Sequence, residues 1–123
     1  MSDQIVIKDL LLRTIIGIND EERVNRQDVL INLTLDTDCR KAGKSDEIDD
    51  AVNYRSLTKK IIQLVESSQY KLVEALAEKI AQTCLAFKGV TQVSVCVEKP
   101  GALRFANSVG VCITRDQSDV ASQ

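Results

Sequence analysis

Lys99 stands where an alternating apolar run meets the chain's only proline, in Glu98-Lys99-Pro100-Gly101-Ala102-Leu103-Arg104-Phe105-Ala106-Asn107. The run before it, Val93-Ser94-Val95-Cys96-Val97, has the two-residue period of a half-buried strand. Proline removes a ladder donor and glycine accepts unusual backbone angles, so Pro100-Gly101 is expected to end that strand. A lysine at this point is aimed from a rigid element toward a loop, a frequent setting for chemistry. The chain contains no histidine. Proton transfer near neutral pH therefore falls to carboxylates, lysine, tyrosine or cysteine.

Few other groups offer comparable chemistry. Glu74 falls in the first turn of an expected helix, where the helix dipole favours a carboxylate by about 0.3–1 kcal/mol without any ligand. The same carboxylate could accept two parallel hydrogen bonds from adjacent N–H donors. On spacing alone the dipole is the better account. Tyr54 follows Asn53, the expected cap of another helix; it could pack, stack on a planar ligand or relay a proton. Glu22 lies in an acidic connection, where a solvated charge is the ordinary state. Lys99 with a carboxylate and a tyrosine could do acid–base work. Arg13, Arg26 and Arg104 are candidate anion binders, each read first as a surface charge. Cys39, Cys84, Cys96 and Cys112 form no C-x-x-C pair, and without histidine a zinc site would need all four thiolates or added carboxylates. They read as reduced thiols behaving as small hydrophobes. Neither a metal nor a cofactor is expected.

The elements that must position these groups follow from periodicity. Residues 5–16 are rich in β-branched and aliphatic side chains and read as a strand with a bulge near Asp9, closed by Gly17. Residues 27–36 alternate, with Val29, Ile31, Leu33 and Leu35 on one face. Residues 39–50 are polar and acidic and read as a loop. Asn53 is expected to cap a helix carrying Leu57, Ile61, Leu64 and Val65. Ser67-Ser68-Gln69 breaks it, and a second helix is expected over residues 72–87. Strands follow over residues 90–97 and 108–114, and residues 116–123 read as a frayed tail.

The order β-β-α-α-β-β predicts an α+β domain over residues 1–115, with both helices on one face of a four-stranded antiparallel sheet. Long aliphatic edge strands then invite pairing with another chain, and closed oligomerisation is the economical answer. At 123 residues the chain suffices for one domain. A formal net charge of −2, with basic residues spread along the chain, argues against nucleic-acid binding. No apolar run approaches the roughly 20 residues of a membrane span. The N-terminus lacks a basic leader region, so a cytoplasmic protein is expected.

These segments together resemble the dihydroneopterin aldolase family, which includes dihydroneopterin triphosphate 2′-epimerase. The resemblance covers residues 5–115. It rests on Ile16-Gly17 followed by Glu22, on Gln27 before the second strand, and on Val52-Asn53-Tyr54. It continues through Lys71-Leu72-Val73-Glu74-Ala75-Leu76-Ala77-Glu78-Lys79-Ile80-Ala81 and Lys99-Pro100. The resemblance implies a tunnelling fold, with subunits joined edge to edge into a barrel, as a tetramer or octamer with pockets between subunits. It implies a small-molecule pterin substrate and cleavage of the C1′–C2′ bond of 7,8-dihydroneopterin, giving 6-hydroxymethyl-7,8-dihydropterin and glycolaldehyde in folate synthesis. Neither Schiff base nor metal is implied, because the pterin ring accepts the electrons released.

Carried over by resemblance, Glu74 would accept hydrogen bonds from the pterin 2-amino and N3 edge. Lys99 would be the principal proton-transfer residue, Tyr54 its partner in stacking and protonation, and Glu22 an organiser of the substrate side chain and a water. Backbone around Val52 and Val73 would add pterin contacts. Within the family, Asn53-Tyr54-Arg55 and Ala102-Leu103-Arg104-Phe105-Ala106 are similar to the epimerase branch, which commonly has histidine where this chain has Gly101. Lys99-Pro100-Gly101 and residues 72–81 are more like aldolases. The aldolase reading leads, with epimerisation as the alternative and a non-catalytic pterin-binding domain as a third reading.

Overall fold

The computed structural model describes residues 3–120. Strands β1 (Asp3–Ile16) and β2 (Gln27–Thr37) form a long antiparallel hairpin, and β4 (Gln92–Pro100) and β5 (Ser108–Asp116) form a second. Antiparallel pairing of β2 with β4 joins the hairpins, so the four expected antiparallel strands lie in the order β1-β2-β4-β5. Helices α2 (Tyr54–Glu66) and α3 (Val73–Leu85) connect β2 to β4 and pack on one face of the sheet. The alternation of β2 explains that choice of face. Val29, Ile31, Leu33 and Leu35 are fully buried, as are Val93, Val95 and Val97 beside them, against Leu57, Ile61, Leu76 and Ile80 of the helices.

Local sequence sets the element limits. Two residues of β1 interrupt the pairing between Ile7 and Leu10, where Asp9 adopts φ 55°. The amide freed by this bulge donates to Asn32 Oδ1 at 2.8 Å, so the expected irregularity is a satisfied one. Asn53 caps α2, its Oδ1 accepting from the Ser56 amide at 3.1 Å. Buried Thr14 donates to the Val65 carbonyl at 2.6 Å, which also accepts from Ser68, and so ties β1 to the end of α2.

Several expectations change. The segment read as a loop holds a short helix, α1 (Arg40–Ser45), and a 3-10 turn (Ile48–Asp50). Neither buries a residue, so no apolar period could announce them. Residues after α2 form a two-residue strand, β3 (Gln69–Tyr70), parallel to Ile15 and Ile16. The chain beyond Arg115 continues in β5 and a 3-10 turn (Gln117–Asp119), where Gln117 Nε2 donates to Leu85 and Val90 carbonyls. That part of the expected tail is held against the body, and residues 121–123 lie outside those described. Two cysteines read as reduced thiols, Cys96 and Cys112, stand opposite each other across β4 and β5 and are joined as a disulfide. Burial pushes the Cys84 thiol up to about 12, which suits the inert role expected of it.

Replacing Asn53 by alanine removes the cap that starts α2. Chemical denaturation should show a loss of about 0.5–2 kcal/mol, and an unchanged midpoint would mean that the cap does not hold the helix start.

Candidate active site

Period-two geometry carries Lys99 onto the face of β4 that buries Val95 and Val97. It stands past the buried valines with its stem covered and only 12% of the side chain exposed. Its Nζ donates to Glu22 Oε2 at 2.7 Å, joining residues 77 positions apart. Glu22 belongs to the turn between β1 and β2, and Gly17 makes room for it. Gly17 has φ +130°, and a Cβ at that position would sit on the Glu22 carboxyl group. Gln27 donates from one Nε2 to both the Ile16 carbonyl at 2.6 Å and Glu22 Oε2 at 3.0 Å. The Asn19 amide reaches Glu22 Oε1 at 3.2 Å.

The Lys99 hydrogen bond, then that of Gln27, hold the Glu22 carboxyl at about 2 against its ordinary 4.5, while burial opposes them weakly. Glu22 is therefore a fixed negative acceptor near neutral pH and carries no proton there. It can orient Lys99 and a neighbouring donor; it cannot serve as the acid.

The other predicted residues separate into two groups. Arg23 ties the turn to β3, donating to Gly17, Tyr70 and Gln69 carbonyls at 3.0, 3.1 and 2.7 Å. The Gly17 amide also donates to the Tyr70 carbonyl. Two residues beyond Tyr70, Leu72 starts α3, so Val73 and Glu74 in its first turn lie at the Glu22–Lys99 end of the sheet. Val52 and Tyr54 do not. Buried Val52 lines a depression with Thr37 and Thr91, at the opposite end of β2 from Gln27. Tyr54, next to it at the start of α2, is 57% exposed. Ten strand steps separate the two ends, roughly 30 Å. Within one chain, Tyr54 cannot reach Lys99.

The depression beside Glu22, lined by Glu21, Glu22, Asn25 and Gln27, holds about 220 Å³. That is small beside the roughly 300–1,000 Å³ of ordinary small-molecule sites. A larger depression of about 430 Å³ between α2 and α3 is lined by Lys60, Lys79, Gln82, Thr83, Ala86 and Phe87, and contains none of the candidates. Among the described residues, no group of three or more cysteine, aspartate or glutamate side chains could hold a metal ion. No helix among them is long and apolar enough to cross a membrane.

Of the three arginines considered as anion binders, two have structural partners. Arg13 pairs with Asp28 at 2.8 Å, and Arg26 donates to the Glu66 carbonyl at 2.9 Å. Arg104 lies over the exposed Phe105 ring at 5.3 Å, on the turn that follows Lys99. Sequence reading gave no positioning role to Arg23 or Gln27. Their partners are backbone carbonyls and a distant carboxylate, which leave no periodic mark.

A family model described as dihydroneopterin aldolase matches residues 5–114. The chain belongs to the dihydroneopterin aldolase family. It is 44% identical over 108 residues to dihydroneopterin triphosphate 2′-epimerase of Escherichia coli K12, covering 88% of this chain and 90% of that protein. It is 43% identical over 113 residues to the folic acid synthesis protein FOL1 of Dictyostelium discoideum, covering 92% of this chain but only 17% of that protein. The E. coli dihydroneopterin aldolase structure in complex with neopterin superposes with a TM-score of 0.88 at 35% identity, covering 92% and 98% of the two chains. Relatives named as epimerase and as aldolase thus both match this chain.

Replacing Glu22 by glutamine tests the electrostatics of the pair. The native carboxyl titrates below its unfolded value, so it adds stability above pH about 4.5 that fades as pH falls toward about 2. The stability difference between wild type and Glu22→Gln, followed by denaturation across that range, should shrink to its minimum at the acid end. A difference independent of pH would contradict the ion pair.

Proposed function

We propose that the protein is a dihydroneopterin aldolase that breaks the C1′–C2′ bond of 7,8-dihydroneopterin by a retro-aldol step. The observation that carries the reading is the covered Lys99 ammonium held by Glu22 beside the α3 start that bears Glu74. The family match is its independent support.

In this reading Glu74 accepts hydrogen bonds from the 2-amino and N3 edge of the pterin, with Val73 backbone beside it. The proton of the 2′-hydroxyl leaves, its oxygen electrons form the carbonyl of glycolaldehyde, and the C1′–C2′ pair moves into the conjugated C6–N5 system of the ring. Return of a proton to C1′ gives 6-hydroxymethyl-7,8-dihydropterin. Lys99 is the principal proton-transfer residue, and Glu22 fixes its position and that of a water. No metal or cofactor takes part in the proposed step.

Tyr54 and Val52 enter from a second copy. The proposed homo-oligomer is supported by the same distances, because Tyr54 is stranded at the far end of its own sheet. Both edges of that sheet can pair: β5 bonds only to β4, and β3 covers only Ile15 and Ile16 of β1. Pairing edge to edge would close a ring of tetramer type, alone or stacked as an octamer. The reading is of a cytoplasmic enzyme acting in folate synthesis.

A second reading is 2′-epimerisation of dihydroneopterin triphosphate. The 44% identity to the E. coli epimerase, against 35% to the aldolase of known structure, favours it. Re-addition of the released aldehyde from its other face would invert C2′ through the same bond cleavage.

Purified protein should be incubated with dihydroneopterin and separately with its triphosphate, with glycolaldehyde and the pterin products separated. Glycolaldehyde from the unphosphorylated pterin is the expected result. Epimerised triphosphate with no glycolaldehyde from the unphosphorylated pterin would replace the first reading by the second. Lys99→Ala, folded normally, should lose about 10²-fold or more of turnover.

A further inference from the structure

The Cys96–Cys112 bond lies on the sheet face opposite the helices, because Val95 and Val97 on either side of Cys96 are buried in the core. Cys112 is exposed and Cys96 half-buried, so small thiol reagents can reach the pair. The bond closes a covalent loop with a sequence separation of 16. Inside that loop lie Lys99, the turn of residues 101–107 and the first half of β5. Three positions beyond the cysteines, Lys99 pairs with Val109.

The intervening ladder has a gap in its side chains. Gly110 opposes Glu98, and a Cβ there would meet Glu98 Cγ at 2.6 Å and the Val97 carbonyl at 2.7 Å. Glycine permits this close approach but contributes no side chain to hold the strand. Within its own chain β5 bonds on one side only, to β4. A one-residue slip of such a strand would turn its side chains to the wrong face. The disulfide prevents that slip next to the residue on which the site depends.

We propose that Cys96 and Cys112 are a reversible redox site whose oxidised form fixes the register of the β4–β5 hairpin and thereby positions Lys99 against Glu22. A disulfide in a cytoplasmic protein is typically transient and redox-responsive, and exposed disulfides are among the more reducible. Two electrons and two protons from a small dithiol break the Sγ–Sγ bond, giving two protein thiols and the cyclic disulfide of the reagent. Glutathione disulfide reverses the change, its own S–S bond yielding two molecules of glutathione. Lys99 is the catalytic residue; the cysteines are positioning residues. The effect on turnover rests on the retro-aldol reading above, whereas the effect on the hairpin does not.

The test compares full-length protein equilibrated with glutathione disulfide and with dithiothreitol, counting thiols after denaturation. Two thiols, Cys39 and Cys84, are expected in the first form and four in the second. Reduction should speed amide hydrogen exchange across residues 97–111. It should lower kcat for dihydroneopterin about tenfold, the scale of a small misplacement of a catalytic group, with KM changed less than about twofold. The double variant Cys96→Ser, Cys112→Ser should match the reduced form and ignore dithiothreitol. Equal exchange and equal kcat in the two-thiol and four-thiol forms would overturn the proposal, as would a dithiothreitol response that persists in the double variant. If neither form turns over either pterin, the retro-aldol reading fails, and the exchange difference still decides whether the bond holds the hairpin.

Discussion

The ion pair between Lys99 and Glu22, at 2.7 Å, is the contact on which the rest of the site depends. It joins the end of β4 to the turn between β1 and β2, segments that share no other side-chain hydrogen bond among the described residues. Everything around it serves its geometry. Gly17 clears space for the carboxylate, Gln27 holds the second face of the same oxygen, and Arg23 clamps the turn to β3. Two residues after the clamped Tyr70 comes Leu72, the residue that leads into α3 and Glu74. On the proposed reading, the amine of Lys99 and the carboxylate of Glu74 address opposite ends of one flat, polar bicyclic molecule. In the same reading, the low titration of Glu22 leaves it to orient, while Lys99 and a hydroxyl group move protons.

A second constraint is length. The eleven residues of β2 place Gln27, which holds Glu22, at one end and Thr37, beside Val52, at the other. A β-sheet is stiff along its strands, so no side-chain motion closes a gap of roughly 30 Å. Groups divided in this way work together only if another molecule supplies the missing half. The unpaired edges of β1 and β5 offer the means, since each exposes backbone donors and acceptors that another strand can satisfy. On the proposed reading, the edges that would otherwise invite aggregation are what complete the site.

Much of this was legible in the sequence, for identifiable reasons. The alternation of residues 27–36 and 93–97, the apolar spacing of Leu57, Ile61 and Val65, and the cap at Asn53 each reflect local backbone geometry acting through burial. Asp9 at the bulge was legible because polar residues rarely interrupt a β-branched run without cause. What was not legible depends on contacts between distant segments. Arg23 and Gln27 bond to carbonyls that any sequence would supply. Helix α1 buries nothing, and β3 is two residues long, so neither has a pattern. The Cys96–Cys112 bond follows from the register of β4 on β5, and a spacing of sixteen residues between two cysteines does not disclose register. Lys99 was marked by its place at a strand end before the chain's one proline, whereas Glu22 and Glu74 carried no distinguishing mark as single charges; the resemblance to a pterin enzyme family singled those two out, and the fold then placed all three at one end of the sheet.

The division of the site between copies is the central claim, and complementation tests it most directly. Lys99→Ala and Tyr54→Ala chains, each inactive toward dihydroneopterin alone, should be unfolded together, refolded as a mixture and assayed. Head-to-tail assembly would give about a quarter of the seams an intact Lys99 from one chain and an intact Tyr54 from the other. The account predicts activity recovered to about that fraction of wild type. Assembly into mixed oligomers with no recovered turnover would show that Lys99 and Tyr54 do not share a site.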